Sequence, residues 1–182
     1  MARFYRSFDY DLIRHILTDE KIFAHITDDN SPAREDYRPP EGDHVWYVLV
    51  KDGAEILGLF ILLPQNSICW EMHIAMLPSS WGDRALDACR AFFPWIWAET
   101  PCQRVVMQVP ASNRLALRYA VRAGMKIYGT NHLSFLKNGI LRDQVCFGLS
   151  RSDHQFSDQE SYEAIDRFRQ EMEGGVECRG RQ

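Results

Sequence analysis

Glu71 and His73 stand two residues apart in ICWEMHIAML, residues 68–77, and a short polar turn with Pro78, Ser79, Ser80 and Gly82 follows at once. On a strand, side chains change face at every residue. Ile68, Trp70, Met72, Ile74 and Met76 then share one face, and Cys69, Glu71, His73, Ala75 and Leu77 share the other. A carboxylate beside an imidazole suits removal of a proton from an attacking nucleophile. The free imidazole pKa lies near neutrality, and partial burial raises a carboxyl toward it. The turn suits a different task. Pro78 ends the ladder, and an apolar pattern at helical spacing begins at Ala85 and runs through Cys89, Phe92, Phe93 and Ile96. A strand, a tight turn and a helix start form a natural phosphate site, because the first-turn N–H groups are unpaired and the helix dipole is positive there. One element therefore carries both titratable groups and a candidate anion site.

Composition narrows the classes. At 182 residues, 46% hydrophobic and 25% charged, the chain fits one globular domain with a full core. A formal charge of −4 and the lack of a basic stretch with interleaved aromatics argue against nucleic acid as a partner, while an acidic surface suits a cationic substrate such as an amine. ILGLFILLP is too short to span a membrane, MARFYRSFDYD has no signal-peptide core, and the cytoplasm is the expected compartment. Cys69, Cys89, Cys102, Cys146 and Cys178 form no C-x-x-C pair and read as reduced thiols. His15, His25, His44, His132 and His154 are too scattered for a metal site, so none is expected. Ser79-Ser80 lacks the G-x-S-x-G elbow of a serine hydrolase.

The elements that must position these residues follow in order. Residues 3–8 read as a strand, Asp9 caps a helix over 11–17, and Thr18 or Asp19 caps another over 20–26. Residues 27–43 read as a polar surface loop, a candidate mobile cover for a cleft. VWYVLV and EILGLFILL form a hairpin around Asp52-Gly53, and both strands are apolar on both faces, as in a sheet covered on two sides. Pro94 is expected to kink or break the helix after the turn, leaving PWIWAET as a second piece. VVMQV is a strand, Asn113 caps a helix through Arg122, and Gly124 ends it. Residues 125–128, 132–136 and 144–149 read as closing strands with a turn at Lys137-Asn138-Gly139, and residues 157–172 as an amphipathic helix.

This order resembles the GNAT N-acetyltransferase fold, most closely the branch typified by ribosomal-protein alanine acetyltransferases. The matching residues are Glu71, Pro78, Trp81 and Gly82, then Asn113, Arg118, Gly124 and Met125, and last Gly139, Arg142-Asp143 and 145–149. The likeness covers residues 44–150 and implies an α/β (α+β) domain over 1–150. Its central sheet would be mixed and mostly antiparallel, of about six or seven strands flanked by helices, with 151–182 as a helical tail.

It further implies an enzyme that moves acetyl from acetyl-CoA, as co-substrate, to a primary amine by direct attack in a ternary complex. The acceptor would be a protein N-terminus or a small amine. The pyrophosphate would sit at Ser79, Ser80, Trp81, Gly82, Asp83, Arg84 and Ala85, the pantetheine beside Ala75 and Met76, and Asn113 belongs to the same motif set. Glu71, directly or through water, is the first choice of base and His73 the second. Three positions depart from the pattern. Arg84 replaces the second turn glycine, and its side chain either crowds a phosphate or contacts it. Ala116 replaces a serine. Ala120 replaces the tyrosine that many relatives use as general acid, with Tyr119 one position away and expected to face elsewhere. These departures favour the alternative, a GNAT-like binding or assembly protein without transfer chemistry, of the kind also found in tailed-phage genomes.

Overall fold

Asp9 and Asp19 start the first two helices, each carboxylate accepting from first-turn N–H groups: Leu12 for Asp9, Lys21 and Ile22 for Asp19. The computed structural model describes residues 2–153, and the helix expected over 157–172 lies outside the described residues. Strand β1 is Arg3–Ser7, helix α1 Tyr10–Leu17, helix α2 Glu20–Ile26, and strands β2 to β4 are Trp46–Asp52, Glu55–Pro64 and Cys69–Met76. Then come α3 (Asp83–Glu99), β5 (Arg104–Pro110), α4 (Arg114–Arg122), β6 (Lys126–Lys137) and β7 (Ile140–Ser150).

The strands form one seven-stranded sheet in the order β1-β2-β3-β4-β5-β7-β6. Every neighbouring pair is antiparallel except β4 and β5, which run parallel. The architecture is therefore the expected mixed α/β one. The double-sided apolar pattern of β2 and β3 has the expected cause, a core on each face. Val48, Val50, Phe60 and Leu62 join Trp70 and Met72 under α3 and α4. Tyr47, Leu49, Leu59 and Ala75 join Ile13, Ile16, Leu17 and Ile22 of α1 and α2. The Phe60 and Phe92 rings stack at 4.2 Å between centroids, and burying a side chain of that size contributes about 1.5–3 kcal/mol.

Four expectations change. First, α3 runs unbroken through Pro94. The proline removes one backbone donor, but Phe92, Phe93, Ile96 and Trp97, on both sides of it, are buried in one core that holds the helix together. Second, the hairpin loop is Gly53-Ala54, because Asp52 pairs with Glu55. Gly53 alone has positive φ, at 61°, which is the pattern of a type II′ turn. Third, the strands expected at 125–128 and 132–136 merge into one, β6, which begins at Lys126 and is interrupted by register shifts. Leu133 takes φ 50° there, and Asp143 Oδ1 accepts its N–H at 2.8 Å. Fourth, the loop after α2 is tied down rather than draped over a cleft. Arg14 donates to the carbonyls of Tyr37 and Glu35, and Asp29 accepts from the N–H groups of Asn138 and Gly139.

Candidate active site

Strands β4 and β5 pair over only three positions, from Cys69↔Arg104 to Glu71↔Val106. Both continue past that point, β4 to Met76 and β5 to Pro110, without further pairing, so the sheet opens between them. A groove of about 890 Å³ fills the opening. One wall is built by Trp81, Gly82 and Ala85 at the start of α3 and by Asn113, Ala116, Arg118 and Tyr119 around α4. On the other face of the sheet it meets His73, Gln108 and Gln144, and helix α2 through Lys21, Ile22, His25 and Ile26. It is α2, not the loop after it, that stands over this end.

The register of β4 decides which backbone groups face the groove. Leu77 N–H donates to Leu57 C=O, while Gln103 and Arg104 donate to Ile68 C=O on the opposite edge. Alternation then gives Ala75 to β3, where it pairs with Leu59, and turns Met72, Ile74 and Met76 toward the opening. Ala75 lines the groove but its backbone belongs to the β3 ladder; Ile74 takes the place expected for it beside Met76.

Pro78–Ser80 make a single 3-10 turn, and Gly82 enters α3 with φ 90° and no side-chain cap. The first-turn N–H groups of a helix have no intrahelical partner, so this start suits an anion. Trp81, half exposed, donates its indole N–H to Met76 C=O at 2.8 Å and forms a corner of the groove. Ser79 is exposed and off the wall, whereas Ser80 is fully buried with its hydroxyl unpartnered among the described residues. Asp83 pairs with Arg122 at 3.1 Å. Arg84 leans away from the turn and binds Glu55 through two nitrogens, at 2.7 and 3.2 Å. That pairing raises the Arg84 pKa and lowers that of Glu55. The arginine neither plugs the turn nor reaches into the groove.

Glu71 and His73 are neighbours as the alternation requires, with His73 Nε2 3.4 Å from Glu71 Oε1. Gln65 Nε2 donates to the other oxygen of Glu71 at 3.1 Å. His73 is on the groove wall and Glu71 stands behind it. Burial of the ring lowers the His73 pKa, and the Glu71 carboxylate pulls it partly back. Burial thus favours the neutral imidazole, the form able to accept a proton.

Asn113 caps α4 through the N–H of Ala116, as its position suggests. Tyr119 does not face away. It lines the groove, and its hydroxyl donates to Ala85 C=O at 2.6 Å, while burial holds its pKa well above that of a free phenol. Ala120 is the residue packed into the core, fully buried, so a one-residue shift on the helix exchanges the two roles. Burial also pushes the Cys89 thiol up to about 12 and the Cys102 thiol to about 11, as expected for unreactive core cysteines. Gln108 and Gln144 had a legible signal, being polar positions in VVMQV and QVCFGL, but only the sheet order brings them to the groove.

Among the described residues no group of His, Cys, Asp and Glu is arranged to hold a metal ion, and no helix is long and apolar enough to cross a membrane. No protein-family model matches the sequence, and no curated protein matches it. Solved structures do. Spermidine N-acetyltransferase from Vibrio cholerae, crystallised with CoA and spermine, superimposes with a TM-score of 0.67 at 15% identity, over 85% of this chain and 96% of that one. A chimera of that enzyme with hSSAT gives 0.68 at 16% identity, over 84% of this chain and 97% of the other. The chain has the GNAT acetyltransferase fold.

Proposed function

We propose that this chain transfers acetyl from acetyl-CoA to a primary amine by direct attack in a ternary complex. The observation that carries the reading is the opening between β4 and β5, which joins an uncapped helix start on one side of the sheet to a histidine whose burial favours its neutral form on the other. A thioester on a long pantetheine arm needs that shape: an anion site for its diphosphate, a slot through the sheet, and a base at the far end.

The N–H groups of residues 82–85 would hold the diphosphate, with Trp81 and Asn113 on the walls of the slot. The β4 edge at Ile74 and Met76 would hydrogen-bond the pantetheine. The Ile74 N–H, on that open edge, is the candidate donor to the oxyanion that develops on the thioester carbon. His73 is the groove-wall base. Nε2 lies 3.4 Å from Glu71 Oε1, and the tautomer that carries its proton there would leave Nδ1 to accept a proton from the ammonium, directly or through water. The freed amine nitrogen bonds to the thioester carbon, the C–S bond breaks and CoA leaves as the thiolate; the nitrogen then gives its second proton to water as the amide forms, and the proton on His73 passes to solvent. Glu71, held by Gln65, orients the imidazole.

The test is ligand-induced stabilisation followed by turnover. Acetyl-CoA at a hundredfold its Kd should add about 2.7 kcal/mol, roughly 5–10 °C in Tm for a chain of this size. Thiol release in the presence of amines should follow. A protein that binds the cofactor without transfer is the second reading, favoured by one observation: among the described residues the tyrosine that lines the groove, Tyr119, has its hydroxyl bound to Ala85, and Ala120 is buried. Stabilisation by acetyl-CoA without thiol release from any amine would select it. No stabilisation at millimolar acetyl-CoA would remove both.

A further inference from the structure

The side chains that line the amine end of the groove include a lysine and two glutamines and, among the described residues, no carboxylate. Val105, Met107 and Val109 of β5 and Val145, Phe147 and Leu149 of β7 are buried under α3 and α4, so alternation sends Gln108 and Gln144 to the α2 face beside His73. Gln108 Oε1 accepts from Asn131 Nδ2 at 2.9 Å, which leaves the Gln108 NH2 as a donor. Ser134 Oγ, with one proton to give, lies 2.8 Å from Asn131 C=O and 2.9 Å from Gln144 Oε1. Lys21 of α2 adds an exposed ammonium, with His25 four residues on along the same helix. Among the described residues no Asp or Glu lines the groove. Glu71, the carboxylate behind His73, has one oxygen taken by Gln65 and the other facing His73. Asp143 is likewise engaged, by His132 and the Leu133 N–H.

We infer that the acceptor is a primary amine bearing a carboxylate, an amino acid rather than a polyamine. The inference rests on the transferase reading above and narrows its substrate. A polyamine brings further ammonium groups, and among the described residues no carboxylate lines the groove to meet them; a cation removed from water without a partner is costly. The repulsion from Lys21 adds to that cost. A carboxylate meets the opposite situation, with the Lys21 ammonium and the Gln108 amide NH2 placed to donate to it. Ile22, Ile26 and Phe135 supply an apolar wall for a short methylene chain between the two ends.

Three amines decide the matter: 4-aminobutyrate, n-butylamine and spermidine, which share an aliphatic amine and differ in what the rest of the molecule carries. Glycine and β-alanine run alongside as shorter spacings. Each is tested twice, by thiol release with acetyl-CoA and by calorimetric binding to the protein saturated with CoA. An amino-carboxylate should exceed n-butylamine and spermidine by about tenfold or more in both measurements. Lys21→Glu should invert the order of the amino-carboxylate and spermidine, with its Tm reporting that the exposed substitution leaves the fold intact. Spermidine equal to or better than every amino-carboxylate would overturn the inference, and so would binding of no amine at all. The two readings fail separately. Selective binding of an amino-carboxylate without thiol release removes the transferase but keeps the acceptor class, while turnover of spermidine alone does the reverse.

Discussion

The hydroxyl of Tyr119 donates to the carbonyl of Ala85 across 2.6 Å, fastening α4 to the first turn of α3 where the two helices frame the groove. The phenol is thereby a strut. Tyr119→Phe should cost about 1 kcal/mol of stability, the net worth of one buried hydrogen bond, and leave kcat within about threefold. Stopped-flow thiol release on the variant checks this. A fall of about a hundredfold would make the phenol the general acid after all.

That residue also marks how far the sequence alone could reach. Strand alternation put Glu71 and His73 together, and the turn and helix start after Pro78 were legible because both are local patterns. The fold order was legible through spaced single residues. What was not legible depends on tertiary register. Tyr119 and Ala120 exchange roles through the rotation of one helix, and Ala75 yields to Ile74 because its backbone pairs with Leu59. Pro94 kept its helix because the core overrides one lost donor. The fate of Arg84 depended on Glu55, 29 residues earlier, which no window around the turn contains.

His73 should govern the acid limb of the rate. Burial lowers its pKa, so kcat at saturating amine should rise with pH through a value below the ordinary 6.5 and then level off. The sign for stability is the same. The imidazolium is disfavoured in the fold, so the contribution is complete above the unfolded pKa and is lost as pH falls through the folded one. His73→Gln should abolish this limb and slow transfer about a hundredfold or more, whereas Glu71→Gln, which leaves the imidazole in place, should slow it less. A pH–rate profile of the three proteins decides. An unchanged limb in His73→Gln would return the role of base to Glu71 or to water.

Gly58 allows β3 to approach the strand that edges the groove. It has φ +143°, and a Cβ there would collide with the carbonyl oxygen of Ala75 and the Cα of Met76. The Gly58→Ala substitution therefore combines a strained backbone with a steric collision against main chain that cannot rotate away. It should cost roughly 3 kcal/mol or more in urea denaturation. In the folded fraction, acetyl-CoA affinity should fall as well, because the displaced residues are those that flank the pantetheine slot. A stability unchanged within error would mean that the two strands do not meet in this register.

Asp29 joins the loop after α2 to the β6–β7 turn by accepting the N–H groups of Asn138 at 2.9 Å and Gly139 at 2.7 Å. Those two bonds are the main cause of its lowered pKa. Asp29→Ala should speed amide exchange at Asn138 and Gly139, and the wild-type protection should weaken as pH falls through the depressed carboxyl pKa. Hydrogen exchange read by NMR is the measurement. Equal exchange in both proteins would show that the turn holds itself.

Arg84 stands where the resemblance expects a turn glycine, and its guanidinium pairs in bidentate fashion with Glu55. A guanidinium held on the β2–β3 hairpin neither fills the turn nor contributes its charge to a bound diphosphate at close range. Arg84→Ala should then leave the Kd for acetyl-CoA within about threefold, since a screened surface charge contributes little. Gly82→Ala should behave differently, although an added methyl would meet open space. Its φ of +90° is unfavourable for any residue with a Cβ, and the backbone would have to move the first-turn N–H groups out of line with the phosphate. A loss of about tenfold or more in affinity is expected from that single methyl. Titration calorimetry on the pair separates the alternatives. Should Arg84→Ala lose affinity while Gly82→Ala keeps it, the arginine side chain would be the phosphate ligand and the helix start would not.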